Sequence, residues 1–348
     1  MKVILLYNEV DPQNDDAAAV DVLQQLQAIT DALWRLGHDP LAIGCTLNLE
    51  MARSRILSAA ADVVFNLVES LAGSDRLMPA VTLLLESLSI PFTGSGTKAL
   101  FESGDKLYSK RILQASGIQT PAHFDAISSC WKKGFQTVTP PQQFIVKSIF
   151  EHASIGINDD SIRPFQDLAD LESKLHSLEQ QSGLPAMAEE YIDGREFNLS
   201  LLECNSSVQV LAPAEIVFKD YPPGKPRIVG YLAKWDQDSP EYQCTPRNFD
   251  FDPSDAPLLD RLTKIATQCF TELGMQGYAR VDFRVPFHDP LDPSTLLPFV
   301  LEVNANPCLS PDAGFAAALD RSGISFDTAI ASLLDSAQSV HGKTAPCS

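Results

Sequence analysis

Two stretches toward the C-terminal end of this 348-residue chain carry side chains that could hold a charged group: Tyr278-Ala-Arg-Val-Asp-Phe-Arg284 and Leu297-Pro-Phe-Val-Leu-Glu-Val-Asn-Ala-Asn-Pro307. Side chains on a strand alternate faces, so Arg280 and Asp282 share one face while Val281 and Phe283 take the other. By the same alternation Glu302 and Asn304 lie opposite Leu301 and Val303. Paired as a hairpin, the two strands would bring two carboxylates, one amide oxygen and one guanidinium onto one surface. Such a set needs a counter-ion, and oxygen ligands suit Mg²⁺ or Mn²⁺ rather than zinc. A half-exposed hairpin with a solvated polar face has the same spacing, and spacing alone leaves both readings open.

A second candidate is Lys147, near the end of the apolar run Gln143–Ile149 and just before a turn holding Ser154 and Gly156. A lysine there can act as a point charge on phosphate, with backbone N–H groups of the turn adding anion contacts. It can equally snorkel at the surface. Lys106, on the preceding helix, is a weaker candidate of the same kind. Glu189-Glu190-Tyr191-Ile192 followed by Glu196 reads on its own as a strand edge. Glu9, Asp15 and Asp16 follow the first strand, where they could bind an ammonium group or form a solvated loop.

The elements that position these residues fall into three segments. In residues 1–97, Val3–Tyr7 reads as a buried strand. Val20, Leu23, Leu26, Ile29, Leu33 and Leu36 recur at helical spacing up to Gly37. A strand over 62–68, a helix over 80–88 and a short strand at 90–96 follow, and this alternation predicts a doubly wound parallel sheet. Residues 98–187 hold a helix over 106–117, a strand over 143–149 and a helix over 165–181. Residues 188–340 begin at a strand over 187–192, with further strands over 196–203 and 208–218. The segment 219–248 is rich in proline, glycine and charge, as a lid or binding loop is. A helix over 258–273, strands over 279–285 and 299–303, and helices to about residue 336 complete the chain.

Composition narrows the function classes. Twenty-six Lys and Arg stand against 45 Asp and Glu, a formal charge of −19 that repels polyanions and argues against nucleic-acid binding. The uncharged apolar runs are strand-sized, well short of the roughly 20 residues of a membrane span. Seven scattered cysteines without zinc or disulfide spacing fit a reduced cytoplasm.

The order of the pieces is similar to that of the ATP-grasp superfamily, and it resembles most closely the D-alanine–D-alanine ligase family. The resemblance runs through IPFTGSG at 90–96, DKLYSK at 105–110, FIVKS at 144–148, EEYIDGREF at 189–197, AKW at 233–235, GYARVD at 277–282 and LEVNANP at 301–307. It implies an α/β, three-domain ATP-grasp fold with an N-terminal Rossmann-like domain, ATP and two Mg²⁺ (or Mn²⁺) ions as cofactors, small-molecule acid and amine substrates, and a homodimer. By resemblance Lys106 and Lys147 would contact the phosphates beside Ser154 of the phosphate loop. Glu189, Glu190 and Ile192 would line the adenine pocket, and Glu196 would hold the ribose. Lys234 would approach the γ-phosphate from the lid, Asp282, Glu302 and Asn304 would hold the metal ions, and Arg280 would stabilise the oxyanion. The substrate half departs from the pattern. Ala153 stands where the family has a serine, Trp235 where it has a tyrosine, and Asn66-Leu-Val-Glu69 where it has a His-Gly motif. Cys308 replaces an oxyanion glycine, and Ala313-Gly314 aligns near a Ser-Leu pair. The expectation is therefore an ATP-dependent carboxylate–amine ligase acting through an acyl phosphate. The alternatives are an authentic D-alanine–D-alanine ligase, a kinase without an amine acceptor, or a nucleotide-binding regulator without turnover.

Overall fold

The run Val3-Ile4-Leu5-Leu6 is buried on both faces: Val3 and Leu5 pack into one hydrophobic cluster, Ile4 and Leu6 into another. Such a strand must be covered on both sides by helices. The computed structural model describes residues 1–10, 17–126, 128–133, 136–151, 154, 156–205, 207–222, 224–287 and 297–342. Asp15, Asp16, Ala153 and Cys347 lie outside them. The first segment comprises β1 (Lys2–Asn8), α1 (Ala17–Arg35), β2 (Asp39–Cys45), α2 (Leu49–Ala59), β3 (Val63–Leu67) and α3 (Pro79–Ser87). Its three strands are parallel in the order β2-β1-β3, the doubly wound arrangement expected. Strand β2 and helix α2 escape the sequence pattern, because Pro40 and Gly44 argue against a strand; the position is a sheet edge, where proline is tolerated. Residues 90–96 form no strand, contributing only a bridge from Phe92 to Val64.

Helices α4 (Thr97–Gly104) and α5 (Lys106–Ala115) lead into a second sheet. Asp105 caps α5, its carboxylate accepting from the backbone N–H of Leu107 and Tyr108 at 2.9 Å each. The sheet consists of β4 (His123–Asp125), β5 (Cys130–Lys133), β6 (Gln136–Thr137), β7 (Gln143–Ser148), β8 (Ile162–Pro164) and, after α6 (Leu168–Ser182), β9 (Ala186–Glu190), ordered β6-β5-β4-β9-β7-β8. Phe124, Trp131 and Phe144 pack there with Leu171 and Leu175 of α6. Strands β4 to β6 are too short to show a period in the sequence.

The third sheet is built from β10 (Gly194–Cys204), β11 (Ser207–Val210), β12 (Ala214–Ile216), β13 (Arg247–Asn248), β14 (Tyr278–Pro286) and β15 (Phe299–Asn304), with α7 (Tyr231–Trp235), α8 (Pro240–Gln243), α9 (Ala256–Glu272), α10 (Gly314–Arg321) and α11 (Phe326–Gly342) around it. Its order is β13-β12-β10-β14-β15, with β11 pairing β10. The single strand expected over 208–218 is two strands, since Pro213 has no N–H to continue the ladder. Helix α9 places Leu258, Leu262, Ala266, Cys269 and Phe270 against Phe197, Leu199, Val281 and Phe283. Ala99, Leu100 and Leu113 of α4 and α5 join that same core. The segment 219–248 carries α7, α8 and β13 rather than an unstructured loop. Chain passage from the second sheet to the third takes residues 191–193. Gly194 opens β10 so close to β14 that a Cβ there would lie 2.1 Å from the Val285 carbonyl oxygen.

Candidate active site

The third sheet sets out its polar face by register. Strands β14 and β15 pair antiparallel, Asp282 opposite Glu302 and Arg280 opposite Asn304, as the alternation predicted. On the other flank β10 sets Asn198 opposite Asp282 and Glu196 opposite Arg284. The intervening Phe197, Leu199, Val281, Phe283 and Val303 are buried in the core. One expectation fails: Leu301 does not share Val303's face. The register shifts between Asp282 and Phe283, leaving Leu301 unpaired in a bulge, and both Leu301 and Glu302 line the cleft. A bulge of this kind re-aims a side chain beside a site.

Asp282 is tightly held. Its Oδ1 accepts from Asn198 Nδ2 at 2.7 Å and Arg280 Nε at 2.8 Å, its Oδ2 from Arg280 Nη2 at 2.8 Å and Asn304 Nδ2 at 3.1 Å. Glu196 is buried and paired with Arg284 at 2.8 Å; Arg284 also donates to the carbonyls of Gly194 and Arg227. Burial raises the Glu196 carboxyl above its ordinary value while Arg284 opposes the shift.

Across the cleft stand three buried lysines. Lys106, at the start of α5, lies 3.6 Å from Glu302 and donates to the Glu151 carbonyl. Lys110, one turn on, lies 2.7 Å from Glu189 Oε2, and Lys147 contacts Glu189 Oε1. Glu189 is only 2% exposed. It borders the cleft, but both its oxygens engage lysines, so it serves the cationic cluster rather than facing a base. Burial lowers the ammonium pKa of Lys106 and Lys110, with Lys147 adding repulsion and the carboxylates opposing both.

Between the two sheets lies a cavity of about 730 Å³, bordered by Lys106, Lys147, Ser154, Glu190, Ile192, Glu196, Lys234, Arg280, Asp282 and Glu302. Ile145, Ile192, Ile216 and Ile228 give it an apolar slot beside the charged end. The segment 219–248 covers it: Tyr231 N donates to the Ile157 carbonyl at 3.0 Å, and a Cβ on Gly230 would lie 2.7 Å from that oxygen. Lys234 of α7 is half-buried, its ammonium 5.6 Å from the Trp235 ring centre. Burial lowers its pKa, and Arg280 adds to the effect.

A second cavity, about 930 Å³, adjoins the first and shares Lys234, Arg247 and Arg280 with it. Its far wall comes from the carboxyl ends of β1 and β3 and from α1: Glu9, Asp21 and Glu69. Glu69 Oε1 accepts from Gln25 Nε2 at 3.0 Å, and Gln25 in turn accepts from Leu309 N at 2.6 Å. Asn306 Nδ2 donates to the Val68 carbonyl at 3.1 Å, tying the loop after β15 to the end of β3. The thiol of Cys308 donates to Asp21 Oδ2. Ala313 and Gly314 line this cavity as well.

Comparison with known proteins settles the lineage. Residues 118–335 match the family model described as the C-terminus of D-ala D-ala ligase. The chain is 30% identical over 318 residues to a D-alanine--D-alanine ligase of Carboxydothermus hydrogenoformans, covering 88% of this chain and 90% of that one. A D-alanine--D-alanine ligase of Moorella thermoacetica is 31% identical, with 86% and 90% covered. The chain belongs to the D-alanine–D-alanine ligase family. Its fold matches the crystal structure of the Bacillus anthracis D-alanine--D-alanine ligase complexed with ATP, with a TM-score of 0.69 at 20% identity over 99% of this chain and all of that one. The protein is thus an ATP-grasp ligase, an ATP-dependent carboxylate–amine ligase by family. Ligases of this family use ATP and Mg²⁺ and act on small molecules. Among its described residues no helix is long and apolar enough to cross a membrane.

Sequence reasoning missed several of the ligase's cleft residues. Lys110 was signalled by its i, i+4 spacing from Lys106. Arg284 continues the alternation of Arg280 and Asp282, and Asn198 that of Glu196. Glu69 stands in the sequence only as part of the segment found where the family has a His-Gly motif, and it meets the site through the fold. Burial, with Asp21 adding to it, pushes the Glu69 carboxyl up to about 7, against the Gln25 hydrogen bond and the pull of Lys234 and Arg280. A carboxyl raised in the fold is penalised when ionised, so stability is lost as pH rises from 4.5 through 7. Glu69→Gln is therefore expected to stabilise the ligase at pH 8, by at most about 3 kcal/mol, with little effect at pH 5. Urea unfolding at the two pH values checks this, and equal changes at both would refute it.

Proposed function

We propose that this ligase phosphorylates a carboxylic acid with ATP and passes the acyl group to an amine, acting on amino-acid-like substrates other than a pair of D-alanines. The observation that carries this is the convergence of Arg280, Asp282 and Glu302 with Lys106, Lys147 and Lys234 around one cleft, with Asn304, on the wall of the adjoining second cavity, bonded to Asp282. In this reading the isoleucine slot takes the adenine, with Glu190 and Ile192 at its edge, and Glu196 meets the ribose. Lys106 and Lys147 meet the phosphates beside Ser154, and Lys234 meets the γ-phosphate. Two carboxylates and an amide on adjacent strands form a hard-oxygen set that fits Mg²⁺. Asp282, Glu302 and Asn304 would hold the two metal ions, whose contribution is to neutralise charge on the transferring phosphoryl group. Arg280, fixed by its two bonds to Asp282, would stabilise the oxyanion formed when the amine attacks the acyl phosphate. The segment that carries Lys234 keeps water from the acyl phosphate.

Trp235 and Glu69 line the second cavity, Trp235 where the family has a tyrosine and Glu69 in the region of its His-Gly motif, and this change of side chains supports substrates other than D-alanine. The described cysteines are all free thiols, which suits the cytoplasm, and a homodimer is the assembly that family resemblance implies. The test is an ADP-release screen over pooled L- and D-amino acids and small carboxylic acids, with hydroxylamine to trap acyl phosphate. ADP release that needs both acid and amine, with hydroxamate formed in the amine's absence, is the expected result. ADP made from one substrate without hydroxamate would replace the reading with a kinase. D-alanine alone supporting the fastest turnover would restore the D-alanine–D-alanine ligase reading.

A further inference from the structure

Lys110 occupies a place in the fold that nothing above has used. It lies on the same face of α5 as Lys106, one turn later, and is 1% exposed. Its ammonium group reaches both sheets that wall the cleft. On the second sheet it lies 2.7 Å from Glu189, the carboxylate that also contacts Lys147. On the third it donates to the Leu301 carbonyl at 3.2 Å. Leu301 is the extra residue of the bulge, so it has no cross-strand partner in β14, and the next residue is Glu302.

We propose that Lys110 is a positioning residue that couples the nucleotide half of the cleft to its metal half. It holds the Glu189 carboxylate that orients Lys147, and it also holds the bulged Leu301 carbonyl that aims Glu302. The argument is geometric. A carbonyl left without a ladder partner in a half-buried bulge must find a donor, and the donor it finds fixes the bulge. A lysine with three donors can serve that carbonyl and a carboxylate together. Because β9 and β15 lie in different sheets, one ammonium paired with the Glu189 carboxylate and donating to the Leu301 carbonyl ties the two sheets together at this point.

The proposal rests on the nucleotide reading of the cleft, so ADP binding by the unmodified protein comes first. Absence of calorimetric ADP binding there would overturn that reading itself, and the proposal with it. With binding established, Lys110→Met is expected to weaken ADP about tenfold and to raise by about tenfold the Mn²⁺ concentration that half-saturates the ADP complex, read from the spin resonance of free Mn²⁺. Lys110→Arg, which keeps the charge and the donors, is expected to stay within about threefold on both. Because Lys110 acts on the phosphates through Glu189 and Lys147, adding Lys110→Met to Lys147→Met should weaken metal-free ADP binding little further. A merely structural lysine would lower the melting temperature and leave the Mn²⁺ midpoint unchanged, and that result overturns the proposal. So does a full additional loss in the double variant. Should Lys110→Met fail to fold, Lys110→Gln, which retains a donor for Leu301 but not the charge for Glu189, is measured instead. It is expected to weaken ADP while keeping the Mn²⁺ midpoint within about threefold, and the reverse pattern overturns the assignment.

Discussion

Glu302→Gln is expected to cut ADP formation by about a thousandfold or more while the protein stays folded. The substitution preserves the shape of the side chain and removes its charge. Glu302 sits on the bulge of β15, half-buried, 3.6 Å from Lys106 and directly across from Asp282. Of the three oxygen donors in the set, Asp282 is already committed to Arg280, Asn198 and Asn304. Glu302 accepts a long 3.5 Å bond from Asn304 and pairs with Lys106, and its carboxylate lines the cleft. Loss of its charge weakens metal binding and leaves developing phosphoryl charge unbalanced, a transition-state effect. Some stability should be lost as well, because buried Lys106 loses its carboxylate partner and keeps its bond to the Glu151 carbonyl. A coupled ADP assay at saturating substrate, with a thermal melt alongside, reads both quantities. Turnover near that of the unmodified protein would remove Glu302 from the metal set.

The legible part of this protein was the part written in local periodicity. Alternation along residues 278–284 and 301–304 placed Arg280 and Asp282 on one face, and Glu302 and Asn304 on the matching face, before any pairing was known. It failed at Leu301, because a bulge inserts one residue without leaving a mark in the pattern. The doubly wound start was legible from β1, whereas β2 was hidden by Pro40 and Gly44, residues that only an edge position permits. Lys110, Arg284 and Glu69 lay in view as residue types and spacings, but their roles did not, for a different reason. Each acquires its meaning from a partner far away in sequence, and a lone lysine, arginine or glutamate says nothing of which charge it will meet. The bond from Gln25 to Glu69 spans 44 residues and the contact of Lys110 with Leu301 spans 191.

Glu189→Gln carries the largest expected effect on stability, a loss of about 3–5 kcal/mol at pH 7. Both oxygens of this carboxylate contact buried lysines, and the nearby Lys106 answers to Glu302. Removing the Glu189 charge strands Lys110 and Lys147 without a counter-charge in a site almost closed to water, and an unpaired buried charge costs more than an intact pair contributes. Burial alone would push the Glu189 carboxyl up, but Lys110 and Lys147 overcome it and bring the group down to about 2. A carboxyl depressed in the fold contributes stability that is complete above its unfolded value near 4.5 and is lost as pH falls toward 2. The gap between the protein and its Glu189→Gln variant should therefore be widest above pH 5 and narrow by roughly 1 kcal/mol at pH 3.5. His123, opposite Glu189 on β4, is held near 4 by burial and by Lys110, so it brings no further positive charge at pH 7. Urea unfolding across this range measures the gap. Adding Lys110→Met to Glu189→Gln leaves one stranded ammonium in place of two, and part of the loss should return. A Glu189→Gln protein as stable as the original at pH 7 would mean that water or an anion already serves these lysines, and that the carboxylate is not what holds them.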